Sequence, residues 1–279
     1  MKRLLSIELQ KIWQNRASRI LTLTYFILLS SVALIASINF DFIGVNFRMA
    51  DMGIFNFPFI WHFNTFMASL LKFFLAVIIV SMMANEYSYG TLKQNLIDGL
   101  SKKEFIFSKY ITVILFALIS TIYVFVMSLI LGYSFSSYTE TSIVFSDLEY
   151  LLAFFVKLAA FFSFCLFLGI LIKRSAFAIG FLIIWFIAEK IIYGLIKYKL
   201  AISEQLADKI AGFMPLEAMS NLIKEPFTRF QAYKAIENQV SGGNTPKDYG
   251  VHALEIVIVL VWMVIFMLMS YKILKKRDL

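Results

Sequence analysis

Ionisable side chains are scarce in this 279-residue chain, so their positions carry chemical weight. Four stand inside long apolar runs: Lys72, Lys157, Glu189 (followed by Lys190) and Glu255. A charge at the centre of a bilayer costs about 2.5–3.5 kcal/mol on insertion scales, and it is retained for ion pairs, relays or contact with a substrate. Lys157, Glu189 and Glu255 fall in the outer third of their runs, where snorkelling or mutual pairing removes most of that cost. Lys72 lies deeper. Pairing is the expected role of these charges, with contact to a transported substrate as the alternative.

Covalent chemistry has no apparatus here. No Gly is followed by Lys, which rules out the phosphate loop of a nucleotide-binding protein. H-E-x-x-H, G-x-S-x-G and zinc-type Cys/His spacings are missing too. His62 and His252 stand apart at the ends of apolar runs and make no metal site. Cys165 is the sole cysteine, so no intrachain disulfide can form. The expectation is a chain that is not an enzyme and has no catalytic, cofactor-binding or metal residues.

A different kind of site is written into residues 85–110, a polar segment between two apolar runs. Gly90–Leu96 reads as a short helix that ends near Gly99, since glycine tolerates a left-handed cap. Ser101-Lys102-Lys103-Glu104 matches the S-x-x-E capping box that starts a new helix. That second helix runs through Lys109 into the next apolar run. Sequence physics leaves two readings level: an ordinary loop obeying capping rules, or a docking element for a partner.

The elements that position these residues follow from composition. The chain is 60% hydrophobic and 17% aromatic, with 16% charged residues, more apolar surface than a water-soluble domain can hide. Crossing about 30 Å of hydrocarbon takes about 20 apolar residues in a helix. Six runs qualify: Ile20–Phe40, Thr65–Ala84, Ile111–Tyr133, Tyr150–Ile172, Ala176–Ile196 and His252–Tyr271. If the second helix starts earlier, near Pro58, Trp61 becomes its interfacial anchor. The fold class is all-α and polytopic, a single membrane domain over residues 1–279.

Lys and Arg concentrate in residues 2–19, 93–109, 173–174 and 272–277, which places both termini and segment 85–110 in the cytoplasm. The net charge of +8 is then accounted for by this bias and by anionic lipid, without nucleic acid. Residues 1–19 form a basic amphipathic helix lying in the interface, with Leu5, Leu9, Ile12 and Trp13 on its apolar stripe. Residues 197–251 read as a helical cap on the other side. Its parts are a helix over Ser203–Phe213, a second starting at Pro215 and ended by Pro226, a third over Phe227–Asn238, and a turn at Ser241–Pro246.

Segment 85–110 resembles the corresponding part of the permease subunits of type-2 ABC transporters, the transmembrane subunits of bacterial ABC exporters. The family pattern has a Glu after the second span, a Gly-Thr beyond it, a Ser-containing turn, and a Lys entering the third span. Glu86, Gly90-Thr91, Ser101 and Lys109 match it. The resemblance implies six spans in the inner membrane and a pathway made with a second permease chain, identical or different. It also implies cytosolic ATPase subunits that carry the ATP and Mg. Residues 87–99 would be the coupling helix, with Tyr87, Tyr89, Leu92 and Leu96 as docking anchors and Lys93 adding charge steering. Export of an unspecified substrate is implied with it. A secondary transporter and a non-transporting scaffold of an envelope complex are the alternatives.

Overall fold

The computed structural model describes residues 2–38, 40–42, 45–47, 53–199, 204–229 and 248–277. Helix α1 (Lys2–Gln14) is amphipathic and turns at Asn15, whose side chain caps α2 (Arg16–Ser37) by accepting from the Ser18 N–H. Twenty-two residues make α2 about 33 Å long. It ends earlier than the apolar run does. Phe40–Phe42 instead pairs antiparallel with Val45–Phe47 as strands β1 and β2, a two-stranded ribbon that the all-helical expectation did not contain.

The expected second span is broken. Helix α3 (Phe59–Leu70) starts directly after Pro58, and α4 (Lys72–Ser88) leaves it at Leu71 with a 46° bend. No Pro or Gly marks the spot. The Thr65 hydroxyl donates back to the Trp61 carbonyl and Ser69 to that of Phe66, while the Leu71 N–H pairs with Ala68 three residues back. Such back-bonding and tightening bend a helix. Trp61 is also not an interfacial anchor facing lipid: it is fully buried, and its indole donates to the Val144 carbonyl at 2.8 Å.

Helix α5 (Thr91–Ile97) is short, and α6 (Lys102–Phe135) is about 51 Å long, so its first turns project beyond any bilayer its apolar part crosses. A one-turn helix α7 (Thr141–Val144) leads into α8 (Glu149–Ile172). Lys173 in a left-handed conformation turns the chain at once into α9 (Ser175–Gly194), so that α8 and α9 form a helical hairpin. Next come α10 (Glu204–Ala211), α11 (Pro215–Asn221) with Pro215 at its first position, and a 3-10 turn at Phe227–Arg229. The rest of the expected third cap helix and the Ser241–Pro246 turn lie outside the described residues. Helix α12 (Ala253–Lys276) completes the fold. Among the described residues four helices are long and apolar enough to cross a membrane, or five with α3 and α4 counted as one.

Helix α8 is the axis of the bundle: 83% of the apolar stretch ending in it is buried, against 11% for α9 and 17% for α12. Phe161, Phe162 and Phe164 are therefore packing bulk; Phe164 meets Phe266 of α12 at 4.8 Å and Phe161 meets Phe73 of α4 at 5.5 Å. Gly132 of α6 lies under the ring of Phe57, itself wedged against Trp61 and Tyr133. An alanine methyl there would overlap that ring. Gly132→Ala is expected to cost about 1–3 kcal/mol through overpacking, read as a lowered melting temperature.

Candidate functional site

Hydrogen bonds gather residues 8–11, 86–91, 102–109, 170–173 and 275–277 at one end of the bundle, where the chain's basic segments meet. The turn between α4 and α6 forms as its sequence prescribes. Gly90 and Gly99 have φ of 68° and 95°, left-handed values that a side chain resists, and they bracket α5. Ser101 and Glu104 make the reciprocal capping box, the Ser101 hydroxyl accepting from the Glu104 N–H at 3.2 Å and the Glu104 carboxylate accepting from the Ser101 N–H at 3.0 Å.

Beneath α5 lies a buried ion network. Lys109 is fully buried and donates to Glu86 at 2.7 Å and to Glu8 at 2.6 Å. Glu86, 3% exposed, also accepts from Lys11 at 2.9 Å and from the Thr91 hydroxyl at 2.5 Å. Glu8 of α1 is 5% exposed. Four elements thus converge on one ammonium and its two carboxylates: α1 through Glu8 and Lys11, α4 through Glu86, α5 through Thr91 and α6 through Lys109. Each charge has an opposite neighbour at hydrogen-bond distance, which is what makes their burial tolerable. A cavity of about 240 Å³ opens beside them, lined among others by Asn15, Asn85 and Tyr89.

Glu86, Thr91 and Lys109, all singled out in the sequence, come together in this network, joined by Glu8 and Lys11, which were not. One signal was present. Glu8 is the sole acid among the first 40 residues, in a helix otherwise carrying bases. The charges of α1 do not all lie away from its packed face.

The proposed docking anchors divide. Leu92 is 2% exposed and Leu96 is half-buried against the core, so both pack α5 onto the spans. Tyr87 is likewise occupied: its hydroxyl accepts from Arg277 at 3.1 Å, and the Lys173 ammonium stands 5.4 Å from its ring. Arg277 also donates to the Ile170 and Leu171 carbonyls, capping the end of α8. The basic tail is therefore a structural clasp as well as an anchor. The apolar side chains that α5 and its flank present outward are Tyr89, 74% exposed, and Ile97, 75% exposed, with Lys93 exposed between them. Ile97 was missed because a seven-residue helix is too short for periodicity to say which face is outward.

The four intramembrane charges separate by partner. Lys157 is buried and reaches the Ser220 carbonyl at 3.4 Å. Glu189 is buried and accepts from the Leu216 and Glu217 N–H groups at 3.2 and 2.9 Å and from the Trp185 indole at 2.6 Å. Both tie spans to the α10–α11 cap. Lys72 begins α4 at the break, its ammonium 4.5 Å from the Phe161 ring centroid. Glu255 stands 4.0 Å from Lys224. None of the four joins the ion network, which lies at the other end.

That other end has an organiser the sequence did not flag. His62 is fully buried; it bonds the Lys224 carbonyl at 2.8 Å through Nε2, accepts from Arg229 at 3.0 Å through Nδ1, and stacks on Tyr150 at 4.4 Å. It is an interior clamp between α3 and the cap, not an interfacial polar tip. Asp248 accepts from the Gly250 N–H and pairs with His252 at 2.8 Å, which holds its carboxyl below the usual carboxylate range.

Comparison with known proteins places these features in a family without assigning them a role. The chain is 37% identical over 79 residues to "Uncharacterized protein YhcI" of Bacillus subtilis (strain 168), a stretch covering 27% of this chain and 25% of that protein. It thus matches about a quarter of the length of that relative. The profile of the family described as "Protein of unknown function (DUF2705)" matches residues 25–279, nearly the whole chain, so this protein belongs to the DUF2705 family.

Proposed function

We propose that this chain is the membrane-spanning permease subunit of an ATP-driven transporter of the ATP-binding-cassette type, with six spans and both termini cytoplasmic. Helices α3–α4, α6, α8, α9 and α12 support five of those spans and the apolar α2 is read as the sixth, while the basic ends favour the orientation. One observation carries the proposal. A short helix with apolar side chains exposed on and beside it is tied by the Thr91 hydroxyl to Glu86, whose buried ion pairs join α1, α4 and α6.

The mechanism follows from that construction. A cytosolic ATPase grips Tyr89 and Ile97. Movement of the ATPase displaces α5, and Thr91, Glu86 and Lys109 pass the displacement to α4, α6 and α1 together. Charge pairs at 2.6–2.9 Å transmit it because separating them in a buried setting is costly. The spans then exchange between two arrangements, driven by the ATPase contacting each differently. ATP and Mg belong to the partner, and a second permease chain completes the pathway. The exported substrate is a separate question.

A secondary transporter is the second reading, favoured by the discontinuous pair α3–α4 with Lys72 at its break. The two are separated by purifying the tagged full chain from its native membranes in mild detergent. A co-purifying polypeptide that hydrolyses ATP is expected. A chain that comes away without ATPase activity, and drives uptake or efflux from an ion gradient in vesicles, establishes the second reading.

A further inference from the structure

At the end opposite the ion network, a cavity of about 590 Å³ lies among α9, α10, α11 and α12. Its size falls within the range of small-molecule sites. The walls differ in chemistry. Leu254, Ile258 and Phe213 form an apolar side, and Leu254 and Phe213 are mostly exposed. The polar side comes from both the cap and the spans, and most of its groups are already engaged. Glu217 pairs with Lys190 at 2.5 Å, Lys224 donates to the Asp248 carbonyl at 2.9 Å, and Asp208 accepts from the Tyr193 hydroxyl at 2.7 Å.

One lining group is not satisfied, and a second is free of protein partners. Glu255 has its nearest cation 4.0 Å away, beyond hydrogen-bond range, and its Oε2 is buried with no hydrogen-bond partner. Lys209 is exposed on α10 and has no ion pair or hydrogen bond among the described residues. A buried carboxylate oxygen left unpaired costs more than a paired one contributes, so the site is built to receive a donor. A partly unpaired acid, an exposed base without a protein partner and an apolar wall together suit a ligand that carries both signs of charge and a hydrocarbon tail. The cavity adjoins α9 and α12, the two spans with the most exposed flanks, so such a ligand can enter sideways from a bilayer.

We infer that this cavity binds the headgroup of a zwitterionic amphiphile, its ammonium received by Glu255 and its phosphate by Lys209, with the alkyl chain along Leu254, Ile258 and Phe213. The site is independent of the coupling function proposed above, and its test needs only the isolated chain.

The test is native mass spectrometry of the full chain in neutral detergent with equimolar phosphatidylethanolamine, lysophosphatidylethanolamine and phosphatidylglycerol. Retention of an ethanolamine lipid at least fivefold over phosphatidylglycerol is expected. Preference for the two-chain form points to a bilayer lipid, and preference for the single-chain form to a free amphiphile. Glu255→Lys is expected to remove the ethanolamine preference and favour phosphatidylglycerol. Should that variant not fold, Lys209→Glu, on an exposed surface, is expected to lower ethanolamine-lipid retention at least threefold. Equal retention of the three lipids by the unaltered chain overturns the inference. So does an ethanolamine preference that survives either substitution in folded protein.

Discussion

Lys109→Ala is expected to destabilise the chain more than any other single substitution at the basic end. The substitution leaves Glu8 and Glu86, both nearly inaccessible, facing a space that only Lys11 can partly neutralise. Removing one partner of a buried ion pair costs about 3–5 kcal/mol, because the charge left behind stays desolvated. Whole-domain stabilities run to about 5–15 kcal/mol, so the loss is a large share of the total. A fall of roughly 10 °C in the melting temperature of the detergent-solubilised chain is the expected reading. Lys109→Met combined with Glu8→Gln and Glu86→Gln is expected to recover most of that fall, since the one charge left, Lys11, is 40% exposed and can be solvated. The recovered protein would separate stability from function: it folds, yet lacks the charge pairs that join α1, α4 and α6 beneath α5. A Lys109→Ala chain that melts like the unaltered one would mean that the network is not buried as described.

The second large effect concerns association and leaves stability alone. Tyr89 and Ile97 are about three-quarters exposed, so replacing them changes little in the isolated chain, within about 0.5 kcal/mol. Small docking surfaces concentrate their energy in a few aromatic and apolar anchors, each worth about 2 kcal/mol or more. Tyr89→Ala with Ile97→Asp is therefore expected to reduce ATPase co-purification by well over tenfold while the melting temperature holds. Leu92→Asp is the contrasting control. It places a carboxylate at a buried position, and it lowers stability whether or not a partner is present. Loss of the ATPase in Leu92→Asp alone would therefore say nothing about docking.

Local rules made much of this structure legible. Capping at Ser101 and Glu104, the glycine-ended short helix before it and Pro215 at a helix start are all short-range features, and each forms as its residues specify. Pairings across long sequence distances left no such mark. Glu8 reaches Lys109 over 101 residues and Lys11 reaches Glu86 over 75, and nothing local announces either bond. The break at Leu71 was hidden for a related reason. Thr65 and Ser69 are common in apolar helices, and only the carbonyls they turn back to make them benders. Exposure is likewise a tertiary property: Leu92 and Ile97 are both apolar residues of one short helix, and only packing decides that the first is inside.

The most direct measurement is photo-cross-linking in intact cells from a benzophenone amino acid placed at Ile97. A covalent adduct with a soluble polypeptide that binds ATP is predicted, and the adduct should vanish when Tyr89→Ala is introduced beside it. An adduct only with lipid, or labelling of position 97 by a membrane-impermeant reagent applied from outside the cell, would contradict a docking role for this helix.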